Sequence, residues 1–565
     1  MRRIVESALA ITIALLIALT LVAMFAKQAR AQLWQGFSTY ASPFLGEWPT
    51  GAARQPLARR VVVVLSRGMR LAESRQMPTL NALRARGADV TIESKPPTYR
   101  LSATLTWLSG AWPETHGATT NSAVLLPQPD TILRAMQANG QATAFIGSDQ
   151  LSDLFGAALQ RIELVDELEA IARDRQALEL VLGMLSDPSR PAQFVLVELA
   201  SLEAVAPAES ESYRAATEAT DRHIAAIVNA LDLGADALVV LSDRGLTDDG
   251  RDGGGEAEVT RTPLVLVGAG IVPGTQAIAP ATAIAPTLAA LAGAPMPIHA
   301  QGGPILEVLS PAPTLPMASA QQLTAFYEQW SVVMRQPRFA SELLRRYEDR
   351  LAAGDTVGYA QWLAELNRSV ARAVAERLNG ERVARLPFAI GVALLLLTIA
   401  GLILNAHFVR PLVGVAAYIV AWSVLFFIVR GADFSLSLFS DGNPTATFGE
   451  WERISSALMG LIGLAIALTT GACEDVFDAI ATTLSAIGLI ALFQLLAFTW
   501  FYWQWGDAFT WTLPESSAFT AGLLALTQLA ALNVRATPDL PELPLALLIA
   551  IATAVIYALV RRPVA

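Results

Sequence analysis

Two hydrophobic patterns alternate along this chain and divide it. Near-continuous apolar runs lie at 4–26, 387–405, 411–429, 454–472, 479–502, 517–533 and 543–560, while the long stretch between the first and second carries short β-branched runs separated by amphipathic segments. About 20 apolar residues, at 1.5 Å per residue, cross a hydrocarbon core of about 30 Å. The long runs therefore predict seven membrane spans, one ahead of the polar region and six behind it. The first follows Arg2 and Arg3, and an Ala-x-Ala-like site stands at 29–31. Its length exceeds that of a signal-peptide core, which favours an uncleaved anchor.

Within the polar region, 61–65, 144–146, 194–198, 238–241 and 264–267 are short apolar, β-branched runs of the kind that a parallel sheet buries on both faces. Helical periodicity at 77–86, 131–139, 211–231 and 283–291 alternates with them. Strands separated by helices predict an α/β fold with a doubly wound, mainly parallel sheet, whose ligands gather beyond the carboxyl ends of the strands. From 315 to 385 the strand signal stops and long helical segments, 321–335 and 361–378, take over. The expected organisation is an anchor at 4–26, a linker at 27–58, an α/β domain at 59–314, a helical connector at 315–385 and an all-α membrane domain of six spans at 386–565. There is no internal repeat.

Composition sharpens this division. At 565 residues, 53% apolar and 16% charged, the chain is too long for one core and too apolar to be wholly soluble. The lipid bilayer is its first expected partner. A net charge of -10 without a basic run argues against nucleic acid. One cysteine, Cys473, excludes an internal disulfide framework and a cysteine-rich zinc site. No ionisable residue lies deep in a span, and Asp475 and Asp478 fall in a connection, so an ion-coupled transporter is disfavoured. The cluster Trp500, Tyr502, Trp503, Trp505 and Trp511 reads as an interfacial aromatic belt. Arg410 and Arg535 lie opposite the large domain, whereas Arg382, Arg385, Arg430, Arg561 and Arg562 lie on its side. By charge bias alone the domain would be cytoplasmic.

Four segments stand out as candidate chemistry. Val61-Val-Val-Val-Leu-Ser-Arg-Gly68 is followed by Met77-Pro-Thr-Leu-Asn-Ala-Leu83, then by Pro97-Thr-Tyr-Arg-Leu-Ser-Ala-Thr-Leu-Thr-Trp-Leu-Ser-Gly110 with Pro113-Glu-Thr-His-Gly117, and then by Leu241-Ser-Asp-Arg-Gly-Leu-Thr-Asp-Asp-Gly-Arg-Asp-Gly-Gly254. In order and spacing they resemble the type I phosphodiesterase and nucleotide pyrophosphatase branch of the alkaline phosphatase superfamily, over 59–303. The layout of the whole chain is most similar to glycosylphosphatidylinositol ethanolamine phosphate transferases. That resemblance implies an alkaline phosphatase-like sheet, a large domain outside the cytoplasm, and a two-metal site for phosphoryl transfer.

Position by position, however, the residues that the family uses are replaced. Arg67 stands where the resemblance implies a metal-binding Asp, and Arg100 where it implies the Thr or Ser nucleophile. Ser242-Asp243-Arg244-Gly245 takes the place of Ser-Asp-His-Gly, and Asp252-Gly253-Gly254 that of His-Gly-Gly. The Asp and His implied after the strand at 194–198 would fall near Ala200 and Ala204, which bind no metal. Thr98 and Ser102 are the candidate substitute nucleophiles.

Two-metal catalysis needs carboxylate and imidazole ligands at fixed places, and the four histidines, His116, His223, His299 and His407, sit outside them. A metal is therefore not expected. What remains is Arg67, Arg100 and Arg244 near Asp243 and Asp252. In one arrangement the guanidinium groups replace the metals and pair with the carboxylates, because burying either sign alone is costly. In another they hold a phosphate or lipid headgroup through bidentate contacts. The functions to weigh are a non-catalytic scaffold or accessory subunit with membrane-protein partners, a headgroup-binding module, and an active phosphoethanolamine or phosphodiester transferase with zinc or manganese at a displaced site. Asp248 and Asp249 suit a solvated turn, and Gly253, Gly254 and Gly255 a tight one.

Overall fold

The computed structural model describes residues 2–560 apart from 48–49, 126, 168, 188, 190, 408–409, 441–443, 469–472, 474 and 535–541. Arg535, Arg561 and Arg562 lie outside the described residues, as does the side chain of His407. The chain divides into two units. One comprises Met1–Ser38, Leu378–Phe509 and Leu513–Ala565, and the other comprises Thr39–Arg377 with Thr510–Thr512.

The larger unit is built on eight strands: β1 (Arg60–Ser66), β2 (Ala88–Glu93), β3 (Thr143–Gly147), β4 (Arg161–Leu164), β5 (Phe194–Leu199), β6 (Asp236–Leu241), β7 (Arg261–Gly268) and β8 (Thr275–Pro280). Their order is β4-β3-β5-β1-β6-β7-β2-β8. Only β7 runs against its neighbours β6 and β2; the other pairings are parallel. β1 lies between β5 and β6, with Leu65 opposite both Glu198 and Leu241. This register puts the residues that follow β1, β5 and β6 at one end of the sheet.

The five expected apolar runs are β1, β3, β5, β6 and β7, and the strands not anticipated are β2, β4 and β8. β4 and β8 alternate between half-buried and exposed positions, as edge strands covered on one face do. On one face of the sheet Val62, Val64, Val195, Val197, Leu238 and Val240 pack in a core with Val181, Ile224 and Ile227 from the helices Ala170–Leu185 and Ser210–Asn229. The helix Ile284–Ala292 is buried along its whole length. The segment expected as a linker is not bare chain. Tyr40 donates to the carbonyl of Glu114 at 2.8 Å, and Phe44 stacks on Trp330 at 6.3 Å between ring centroids. The strand-free tail forms the helices Leu315–Val333 and Ala340–Ala352 and the first part of Thr356–His407.

The other unit is helical. Among the described residues, four helices are long and apolar enough to cross a membrane: Thr12–Ser38, Thr356–Asn405, Arg410–Val429 and Val476–Trp505. Of the remaining expected spans, two coincide with the shorter apolar helices Ser516–Ala530 and Leu545–Leu559. The third falls within Pro444–Leu468, and its last residues lie outside the described ones. The first helix runs through 29–31 without a break to Ser38, because Trp34 and Phe37 lie on one helical face and pack on Phe519, with Phe37 stacked at 4.5 Å. In the aromatic cluster, the Trp503 indole donates to the carbonyl of Arg382 at 3.0 Å, and the guanidinium of Arg382 lies over Trp505.

Candidate functional site

The strand ends converge on charge. Arg67 follows β1 immediately, Glu198 is the penultimate residue of β5, Asp243 and Arg244 follow β6, and Arg100 opens the helix Arg100–Ser109. Arg67, Asp243 and Arg244 stand where the apolar strands stop, whereas Glu198 is a charge within β5.

Arg67 and Arg244 are 3% and 1% exposed, and both are saturated with carboxylates. Arg67 donates from Nε to Glu198 and from Nη1 to Asp243 Oδ2 at 2.8 Å and to Thr104 Oγ1 at 3.3 Å. Arg244 donates from Nε to Asp252 Oδ2 at 2.5 Å, from Nη1 to Asp243 Oδ2 at 3.1 Å, and from Nη2 to Glu203. Asp243 Oδ2 is thus shared between two buried guanidinium groups, and its Oδ1 accepts the Arg244 backbone N–H at 3.0 Å. Arg100 completes the cluster from outside. Its side chain is 41% exposed, with Nε on Glu203 Oε1 at 2.7 Å and Nη1 on Gln150 at 2.6 Å.

Electrostatics follow from this packing. Burial pushes the Glu203 carboxyl up, but Arg244, Arg67 and Arg100 outweigh it and hold the group at about 2. Burial likewise acts upward on Glu198, and Arg67 with Ser148 brings it below its ordinary value; Ser148 donates from both N and Oγ at 2.7 Å. Three guanidinium groups face four carboxylates here. Burial above all raises the Asp252 carboxyl, Arg244 pulls it down, and the nearby Glu203 and Asp243 charges add to the rise. The carboxylates in turn keep Arg67 and Arg244 protonated against the cost of burial.

Two glycines make room for this network. Gly68 has φ of 73°, and a Cβ there would lie 3.1 Å from the Cα of Glu203. At the end of β3, a Cβ on Gly147 would come within 2.7 Å of Glu198. Beneath Glu203, the buried carboxylate of Asp174 accepts the N–H groups of Ala200 at 2.7 Å and Ser201 at 3.1 Å, fixing the start of the loop.

The structure brings Arg67, Arg100, Arg244, Asp243 and Asp252 together, and the hydroxyls of the substitute nucleophiles are engaged by backbone carbonyls. Thr98 Oγ1 donates to the carbonyl of Gly254 at 2.8 Å, and Ser102 Oγ to that of Pro97 at 2.7 Å. Both are buried. His116 is also buried, and burial first, with Lys95 adding to it, lowers its pKa to about 3. Its Nδ1 accepts from the Ala118 N–H at 3.1 Å, so Nε2 carries the proton and donates to Thr106 Oγ1 at 3.1 Å. His299 Nδ1 accepts from the Asp130 N–H at 3.1 Å, and neither imidazole faces the arginine cluster. Asp248 pairs with Arg70 at 2.8 Å while 85% exposed, and Asp249 pairs with Arg251, as a solvated turn would.

Sequence reasoning missed Glu198, Glu203, Thr104, Ser148 and Gln150. Glu198 carried a signal, being the one charge in the strand Phe194–Leu199. The zinc or manganese pair that the resemblance implies does not fit this donor set, because the carboxylates already hold guanidinium groups and a divalent cation would sit against them. Among the described residues, no group of three or more His, Cys, Asp or Glu side chains is arranged to hold a metal ion.

No family model and no curated protein matches the chain. Solved structures do. An alkaline phosphatase superfamily protein from Vibrio parahaemolyticus is 14% identical, with 50% of this chain and 79% of that chain covered and a TM-score of 0.36. Murine ectonucleotide pyrophosphatase/phosphodiesterase 5, in complex with AMP, is 13% identical, with 45% and 100% covered and a TM-score of 0.36. Phosphonoacetate hydrolase from Sinorhizobium meliloti is 19% identical, with 35% and 60% covered and a TM-score of 0.30. At such values the likeness concerns the fold alone and says nothing of chemistry. In fold, this chain is similar to solved members of the alkaline phosphatase superfamily.

Proposed function

We propose that the larger unit is a degenerate member of the alkaline phosphatase superfamily, from the phosphodiesterase branch that its motif skeleton resembles, and that it performs no turnover. It acts as a scaffold or accessory subunit of a membrane assembly, in a multi-pass chain whose large domain is extracytoplasmic. The observation that supports this is the saturation of Arg67 and Arg244 by Glu198, Glu203, Asp243 and Asp252. A two-metal phosphoryl site must present free carboxylate and imidazole lone pairs and an activated nucleophile. Here those lone pairs accept from guanidinium groups, and the hydroxyls of Thr98 and Ser102 donate to backbone carbonyls.

Turnover of a chromogenic phosphodiester by the full-length protein in detergent, with zinc or manganese added, tests the reading. No rate above that of buffer with metal is expected. Metal-dependent turnover that is lost in Thr98→Ala or Ser102→Ala would reinstate an active transferase. A second reading, binding of a phosphate or lipid headgroup, is favoured by one observation: Arg100 reaches the surface.

A further inference from the structure

Glu203 differs from its three companions. Like Asp243 Oδ2, a single oxygen of the Glu203 carboxylate receives two guanidinium groups from different elements, but only at Glu203 is one of the two partly open to solvent. Arg244 comes from the end of β6 and is buried; Arg100 comes from the start of a helix and is partly open to solvent. Guanidinium groups that hold a carboxylate are equally suited to phosphate oxygens, and Arg100 is partly open to solvent.

We propose that Glu203 is a resident anion that closes an oxyanion site between Arg100 and Arg244, and that moving its carboxylate away opens this site to a phosphate or phosphomonoester group. Removal of Glu203 leaves three guanidinium groups against Glu198, Asp243 and Asp252, so one added anion returns the cluster to the net charge it has with Glu203 in place. Arg100 is then the arginine without a carboxylate, and its exposure provides the way in. The start of the loop is held by Asp174, and the Glu203 backbone lies against Gly68, so the change asked of Glu203 is one of its side chain.

The inference rests on the ion-pair reading of the site, and the two fail separately. Metal-dependent turnover by the wild type would remove that reading. A metal-free Glu203→Ala protein that ignores phosphate would remove only the inference.

Isothermal titration of full-length protein in detergent with inorganic phosphate is the test. Glu203→Ala should bind at least about tenfold more tightly than wild type, a difference of roughly 1.4 kcal/mol. Adding Arg100→Ala should abolish the gain. Glu203→Asp keeps the charge that folding needs but withdraws the carboxylate by one methylene, so phosphate should shift hydrogen exchange of the peptides covering β1, β5 and β6 to slower rates and leave that of the wild type unchanged. Should Glu203→Ala not fold, that shift decides the matter. Equal binding by wild type and Glu203→Ala, binding that survives Arg100→Ala, or no phosphate effect on Glu203→Asp would each overturn the proposal. A phosphomonoester headgroup presented in vesicles, compared with free phosphate, separates the two sources of the anion.

Discussion

Arg244→Met removes the most connected cation of the strand-end cluster while keeping an unbranched side chain of similar reach. Arg244 is 1% exposed and contacts three carboxylates, Asp252, Asp243 and Glu203. Truncating one partner of a buried ion pair typically costs about 3–5 kcal/mol, because an uncompensated charge stays behind. Here Asp252 loses the arginine it pairs with, while Glu203 keeps Arg100 and Asp243 keeps Arg67, which places the expected loss within that range.

The pH dependence gives the sign. In the wild type Glu203 is held at about 2, against an ordinary value of 4.5. It therefore contributes stability that is full above 4.5 and lost as the pH falls toward 2, roughly 3 kcal/mol in all. Without Arg244, the carboxyls of Glu203 and Asp252 shift upward and take up protons on acidification. The penalty of the variant should thus shrink between pH 7 and 5. Hydrogen exchange of peptides covering β1, β5 and β6 in the full-length protein reads the opening free energy of the sheet itself, which global melting of a two-unit chain does not. A loss below about 1 kcal/mol at pH 7, or a loss that does not change with pH, would refute the reasoning.

Other expectations follow from the same contacts. In a double-mutant cycle, Arg67→Met and Glu198→Leu should each destabilise the sheet by about 3 kcal/mol and together cost much less than their sum, as hydrogen exchange will report. His116 is held at about 3 against an ordinary 6.5, so the folded state resists its protonation, and stability should fall as the pH drops from 6.5 toward 3, by about 5 kcal/mol at most. His116→Asn should flatten that part of the stability profile. Gly68→Ala should cost about 1–3 kcal/mol, since it places a Cβ in a left-handed conformation against the Glu203 backbone, and exchange should rise first in the loop after β5.

How far the sequence reveals this arrangement depends on what positions each residue. β1, β5 and β6 are visible as unbroken apolar runs because a sheet buried on both faces leaves no polar alternation. β4 and β8 are not, since four to six half-exposed residues such as Arg161–Leu164 carry too little hydrophobic signal. Arg67, Arg244 and Asp243 could be placed because they follow β1 and β6 directly. Glu198 could have been, as a charge that a buried strand tolerates only with a partner. Glu203 could not. Among the loop acids only the turn decides which one points inward, and that turn depends on Asp174, twenty-nine residues earlier, binding the Ala200 and Ser201 N–H groups. The helix that Arg100 opens was equally hidden, because its Ser and Thr residues lower helical propensity and burial of the whole segment overrides it.

The central claim is that arginines, not metals, balance the carboxylates at the strand ends. The metal-to-protein ratio of the purified full-length protein, measured by elemental mass spectrometry after incubation with zinc and manganese and exchange into metal-free buffer, tests it most directly. The account predicts a ratio far below one for both metals, unchanged in Asp243→Ala. A ratio of one or two that falls in Asp243→Ala would contradict it.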